Sequence, residues 1–280
     1  MVSVYIINSN KEREPFSLKK VYRSVRRVGA SKELAEKIAK TIEKEVYPGI
    51  TTLEIFKRVK KLLQQETPKA ALKFNLKKGM KKLGPTGFPF EKYVGAIFSR
   101  NGFEVKLNQH ISGFCCKYEI DFVAKKDSLL YIGECKYHNL PGAKVHSNTS
   151  LANYARFLDI KKGKFFNKNN YKNLRVKSLL ITNTKFTTKS ISYSNCVGVE
   201  LLGWNYPRNG GLEYLIDSQK LYPITILPSL NQYLAEIFAS KKIMLAQDIL
   251  RIDVAEFAKE TKISEQHLKR LVKEAEILLL

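Results

Sequence analysis

The chain has 280 residues, 44% of them hydrophobic and 27% charged, and its 49 lysines and arginines against 26 acids leave a formal net charge of +23. No apolar run approaches the roughly 18 residues that cross a bilayer, which sets membrane insertion aside. The four cysteines, Cys115 and Cys116 adjacent with Cys135 and Cys196 apart, make neither a disulfide framework nor a CxxC pair, so reduced thiols and a cytoplasmic setting are expected. The opening MVSVYIINSNKEREPF lacks the basic, apolar and small-residue order of a secretory signal, in keeping with that setting. So large a positive charge draws a protein to polyanions, making DNA or another nucleic acid the expected partner. A lysine-rich composition bias that leaves the surface without any partner is the alternative.

Residues 1 to 84 begin with the strand-like alternation Val2, Val4, Ile6 and continue in helical periods, Leu34, Ile38, Ile42, Val46 and then Leu53, Phe56, Val59, Leu63. Thr51 with Glu54 three residues on reads as a capping box after the Pro48-Gly49 break. This mainly helical module carries 21 basic against 8 acidic residues, +13, more than half of the excess charge. The turn-rich stretch Leu83-Gly84-Pro85-Thr86-Gly87 is the expected linker.

Residues 87 to 222 change character. A helix through Phe90, Val94, Ile97 and Phe98 ends at Asn101-Gly102, and a strand follows over 103–107. Strands over 118–124 and 129–137 form a hairpin around Lys126-Asp127. A helix over 145–160, a strand over 176–182, a helix over 187–194 and a strand over 198–204 complete an α/β domain, a mixed sheet flanked by helices. Residues 223 to 280 read as a helical segment, with Leu230, Leu234 and Ile237 on one face. Asp253 and Glu256 form a second capping box, and a last helix runs from Ser264.

Chemistry concentrates on the hairpin. Alternation puts Glu119 and Asp121 on one face of its first strand, and Ile132, Glu134 and Lys136 on one face of its second. With Lys126-Asp127 as the turn, Asp121 lies opposite Ile132 and diagonal to Glu134, so the two carboxylates can grip one metal ion. Hard oxygen ligands suit Mg²⁺ or Mn²⁺, which neutralises charge at a scissile phosphate and lowers the pKa of water. Lys136 would orient the attacking water and stabilise the transition state. Such charges are costly on an apolar sheet unless they bind something. The alternative is a solvated surface face. A zinc site from Cys115, Cys116, Cys135 and His138 has poor ligand spacing.

These residues resemble the PD-(D/E)xK nuclease superfamily, in particular Mrr-type restriction endonucleases, over about residues 87 to 205. The matching segments are FPFEKYVGAIFSRNGF with Glu91, YEIDFVA with Asp121, and IGECKYH with Glu134 and Lys136. The resemblance implies a restriction-endonuclease-like fold and Mg²⁺-dependent hydrolysis of DNA. It implies Asp121 and Glu134 as metal ligands, Lys136 as catalytic and Glu91 as an assisting acid. Ile120 stands where the superfamily's proline would be. His138 contacts phosphate or substrate in this reading, or is a hydrogen-bonded, half-buried histidine. Cutting both strands would call for two sites, which a homodimer could supply, while the sequence leaves the oligomeric state open.

The N-terminal module resembles an ATP-cone. The matching features are the strand Val4 to Ile7, Pro15-Phe16-Ser17-Leu18-Lys19-Lys20-Val21, Gly49-Ile50-Thr51-Thr52-Leu53-Glu54-Ile55, and Ala71 with Phe74. The resemblance implies ATP or dATP as effector, with Lys20 and Thr52 at nucleotide-contacting positions. Asn8-Ser9 replaces the family's Lys-Arg pair, so a scaffold offering its basic surface to DNA stands beside nucleotide sensing. The C-terminal helices resemble a helix-hairpin-helix DNA module whose hairpin glycine is replaced by Lys262. A non-catalytic nucleic-acid-binding or nucleotide-sensing regulator is the competing reading for the whole chain.

Overall fold

The structure, a computed structural model, describes residues 4–84, 88–140, 142–167 and 171–280. Val2 and positions 85–87 of the expected linker lie outside the described residues. The chain forms two compact units. One comprises residues 1–80, 224–234 and 246–280, and the other 81–223 and 235–245.

The first unit opens with a hairpin, β1 (Tyr5–Ile7) against β2 (Arg13–Pro15). Its turn is closed by Asn8, whose side-chain oxygen accepts from the Asn10 and Glu12 amides at 2.8 and 3.1 Å. Helices α1 (Leu18–Arg27), α2 (Lys32–Glu45) and α3 (Thr52–Glu66) follow, each started by a side-chain cap, Ser17, Ser31 and Thr51. They form because apolar residues recur every three or four positions. Val21 and Val25, then Ala35, Ile38, Ala39 and Ile42, then Ile55, Val59 and Leu63 are the buried ones, and they pack into one core with Ile6 and Ile50. Of the expected box at Thr51, the Thr51 half is made, since its hydroxyl accepts from the Glu54 amide at 3.1 Å. The Glu54 carboxylate instead accepts from Arg58 and Tyr47. Short helices α4 (Pro68–Phe74) and α5 (Leu76–Lys81) end the stretch. Gly79 is required here, because a Cβ would stand 2.9 Å from the Ile226 backbone.

The second unit is built on a five-stranded mixed sheet. Helix α6 (Phe88–Arg100) leads into β3 (Glu104–Ser112), β4 (Lys117–Lys126) and β5 (Leu129–Lys136), an antiparallel meander. The short β6 (Lys144–Val145) and helix α7 (Ser147–Lys162) cross over to β7 (Arg175–Thr182), which lies parallel to β5. Then β8 (Lys185–Phe186), α8 (Thr188–Val197) and β9 (Glu200–Leu202) follow, β9 parallel to β7, so the sheet order is β3-β4-β5-β7-β9. Helix α6 covers one face through Phe98, whose ring lies 5.3 Å from that of Phe122. On the other face, α7 buries Ile160 with Ile132 and Val123, and its Asn153 donates to Ser178 of β7 at 2.9 Å.

Two further helices follow α9 (Leu212–Ser218) and precede the end, α10 (Gln232–Ser240) and α11 (Val254–Thr261), before α12 (Glu265–Leu279). The second expected capping box is half-made in the same way, the Asp253 carboxylate accepting from the Glu256 amide at 2.8 Å. Lys262 ends α11 at φ 61°, in the left-handed region that favours glycine. Within the first unit α12 packs on α4, and Glu274 accepts from the Ser229 amide and hydroxyl at 3.1 and 2.6 Å. Among the described residues no helix is long and apolar enough to cross a membrane.

The β4–β5 hairpin corrects the expected register. Lys126 pairs with Leu129, so the turn is Asp127-Ser128, with Asp127 at φ 50°, and the residue opposite Ile132 is Val123 rather than Asp121. The last paired residues are Phe122 and Gly133. One step further along the same register brings Asp121 level with Glu134 instead of diagonal to it. The physical reason is the tolerance of Asp for the left-handed conformation, which lets the tight turn start one residue later.

Candidate active site

Asp121 sits where β4 loses its regularity. Ile120 and Val123 belong to the same buried cluster, although residues three apart on an unbroken strand face opposite ways. The β3–β4 register skips the Asn108 position opposite Asp121, and Asn108 takes φ 50°. The Asp121 carboxylate turns to the neighbouring strand and accepts from the Cys135 amide at 2.6 Å. Gly133, just before the triplet, makes room for this crowding: a Cβ there would stand 2.1 Å from the Phe122 ring.

Glu134 is buried, 5% exposed, and both its oxygens are engaged. Lys136 Nζ lies 2.5 Å from Oε1, and the Arg156 guanidinium of α7 donates to Oε2. Lys136 itself is half-exposed, with its backbone carbonyl accepting from the Thr182 hydroxyl at 2.7 Å. The cluster is electrostatically crowded. Burial and then the Asp121, Glu134 and Glu119 charges push Glu91 of α6 up to about 7, against a smaller opposing pull from Lys136. Burial and then the Glu134 charge push Asp121 up to about 6, while the Cys135 amide, Lys136 and Arg156 act the other way. Glu91, Asp121, Glu134 and Lys136 are thus brought into one electrostatic neighbourhood.

His138 has its backbone clamped by Asn183, whose amide oxygen accepts from the His138 N–H at 2.9 Å and whose amide nitrogen donates to its carbonyl at 2.8 Å. Burial, with Lys136 and His146 nearby, lowers the ring's pKa and favours the neutral imidazole. The cysteines are separated in environment: Cys135 is buried beside Asp121 and Glu91, whereas Cys115 and Cys116 are exposed at the β3–β4 turn. There the Asp159 carboxylate of α7 accepts from both their amides.

Sequence reasoning missed Arg156. It lies twenty positions beyond Lys136, on a helix whose buried residues include Ser150 and Asn153 rather than an apolar stripe. That run of small polar residues facing a sheet was the available signal.

At the nucleotide positions of the first unit, Lys20 is exposed and paired with Glu14 at 3.2 Å, and Thr52 is the first residue of α3. The preceding segment lies against β1, with the Ile7 amide donating to Ile50 and the Gly49 amide to Tyr5, both at 2.9 Å. Asn8 spends its side chain on closing the β1–β2 turn.

The fold and site thus define a mixed-sheet α/β domain with an acid cluster and a paired lysine, in a chain with an ATP cone domain at its N-terminus, since residues 4–77 match the model of that domain. Residues 222–279 match the family model described as AF1548-like, C-terminal. An uncharacterized protein of Archaeoglobus fulgidus is 38% identical over 144 residues, which cover 51% of this chain and 76% of that protein. The crystal structure of the protein of unknown function AF1548 superposes with a TM-score of 0.57 at 32% identity, covering 67% of this chain and 95% of the other. The chain belongs to the AF1548-like family.

Proposed function

We propose that this protein is a Mg²⁺-dependent or Mn²⁺-dependent DNA endonuclease of the PD-(D/E)xK type, Mrr-like, with a restriction-endonuclease-like domain. Its ATP cone would make it responsive to ATP or dATP. One observation carries the reading: burial first, and then the Glu134 charge, raise Asp121 to about 6, while burial and then the Asp121 and Glu134 charges raise Glu91 to about 7. Gathering like charges is unfavourable unless a cation offsets it.

The donor set fits such a cation. Among the described residues no three His, Cys, Asp and Glu side chains are grouped so that they could hold a metal ion together. Two carboxylates, Asp121 and Glu134, suit an ion that is held by one or two acids and completes its shell with water and phosphate oxygens. Bound there, it would supply Lewis acidity at the scissile phosphate and a nucleophile from water at neutral pH. Lys136, with its ammonium beside Glu134, orients the water and offsets charge developing on the phosphate. Glu91, protonated for part of the time near neutrality, can hold or hand on a proton. His138, neutral and half-exposed, is a candidate phosphate contact. The +23 charge supports DNA as substrate.

A second reading is favoured by a specific feature. Glu134 already has each oxygen matched by a cation, Lys136 or Arg156, so the cluster is partly neutralised without a metal. In that reading the protein is a nucleotide-dependent nucleic-acid-binding regulator.

Plasmid nicking separates the two. The protein with Mg²⁺ should nick supercoiled DNA, and Asp121→Ala or Lys136→Ala should lower the rate by at least a hundredfold while DNA retention on a filter is unchanged. If both variants cut as well as the parent, the site is wrong. If the parent never cuts, and its salt-sensitive DNA binding moves with ATP or dATP, the regulator reading holds.

A further inference from the structure

Beside the acid cluster, α7 and the start of β4 enclose an open groove of about 440 Å³, within the range of small-ligand sites. Its floor is Ala152 and Ala155, and Lys117, Tyr118, Glu119 and Arg156 surround it. Two side chains set its chemistry. The Arg156 guanidinium lies 6.0 Å from the Tyr118 ring centroid while it donates to Glu134, so one residue joins the groove to the acid cluster. Tyr118 is held in turn, since its ring packs against the cluster of Ile111, Ile120 and Ile160, beside Asp159, the carboxylate that caps the Cys115 and Cys116 amides.

We propose that this groove is a subsite for one unpaired nucleotide of the substrate strand, with the base against the Tyr118 ring and the phosphate meeting Arg156 and Lys117. The inference rests on the reading that the substrate is nucleic acid and names the form the strand takes at that site. Aromatic rings accept any base because every base has a π-face, and Arg adds both stacking and charge. The small floor residues leave room for a base, while the fixed ring and the ion-paired guanidinium are arranged before any ligand arrives. A base within a duplex is already stacked on its neighbours and cannot reach Tyr118 without leaving the helix. Phosphate at Arg156 also competes with Glu134 for the guanidinium, so strand binding frees a carboxylate of the acid cluster. Arg156 is therefore a positioning residue as well as a strand contact.

The test is equilibrium binding by fluorescence anisotropy in EDTA, with the full chain, a labelled oligothymidylate strand and a blunt duplex of the same length. Tyr118→Ala should weaken single-strand binding about five- to a hundredfold and leave the duplex nearly unchanged, with Tyr118→Trp restoring it. Arg156→Ala should lower the slope of log affinity against log salt by about one, which a merely structural loss would not do. Ala155→Leu, at an exposed helical position, should block the groove without lowering the melting temperature. It also keeps the test decisive if Tyr118→Ala fails to fold. Unchanged single-strand binding in Ala155→Leu, equal losses on strand and duplex, or displacement of the strand by dTMP at matched nucleotide concentration would each overturn the subsite. Because EDTA removes cleavage from the measurement, a protein that binds as described but never cuts keeps this inference and loses the nuclease reading.

Discussion

Asp121 and Glu91 give the acid cluster a pH signature that can be read without substrate. Both are acids whose folded pKa lies above the ordinary value, at about 6 and about 7, so the folded state holds protons that the unfolded chain releases. Stability of the metal-free protein from this source is fully present below the unfolded pKa near 4. It is lost as pH rises through the folded values toward 7. In EDTA, the melting temperature of the parent relative to Asp121→Asn or Glu91→Gln should therefore fall between pH 5 and pH 8, since neither amide ionises. A parent-to-variant difference that stays flat across that range would show that the carboxylates are not crowded. Gly133 is the other residue on which the site depends. Gly133→Ala puts a methyl into the Phe122 ring, which should cost about 1–3 kcal/mol, read as a lower urea midpoint with an unchanged slope. Pairing it with Phe122→Leu should recover part of the loss. The residue types of the site were legible because acids and a lysine alternate on an apolar strand, but Arg156 was not. Its approach to Glu134 is fixed by how α7 packs on β5 and β7, and no local pattern encodes that.

At the scale of elements, what the sequence revealed tracks how local the determining interactions are. Helices α1, α2 and α3 announce themselves by apolar spacing and by Ser17, Ser31 and Thr51, each of which accepts from an amide three residues on. Thr51→Ala should accordingly lower stability by about 1 kcal/mol in thermal unfolding, and Thr51→Asp should restore it. Strands were found, but their extents and pairing were less readable. The expected 103–107 strand runs from Glu104 to Ser112, because pairing with β4 carries it through the polar Asn108-Gln109-His110 stretch to the buried Ile111. The hairpin slipped by one residue because Lys126-Asp127 and Asp127-Ser128 are both acceptable turn pairs, and only the register with β4 decides between them. That single step moves Asp121 level with Glu134. The break in alternation near Asp121 was invisible for a related reason: Asn108, on another strand, takes the unusual conformation beside it.

At the scale of the whole molecule, the C-terminal segment is the part whose role the sequence concealed. Apolar spacing after Ser264 gave the helix, yet not its partner, because nothing local says that α12 packs on α4, some two hundred residues earlier. In the structure Leu268, Leu271, Ala275 and Leu278 are fully buried and Leu279 nearly so, within the same compact unit as the ATP cone. Four buried leucines contribute roughly 1.5–3 kcal/mol each relative to exposure, a sum comparable with the ~5–15 kcal/mol stability of an ordinary domain. The cone should therefore depend on α12 for its fold. Ending the chain after Thr261 should expose the amides of residues 18–66 to fast hydrogen exchange, while strands β4, β5 and β7 keep their protection. The milder Leu271→Ala should lower the melting temperature by an amount matching ~2–5 kcal/mol, with the loss confined to the same unit. Any response to ATP or dATP should vanish with the truncation, and slow exchange persisting across residues 18–66 would show that the cone stands without this helix.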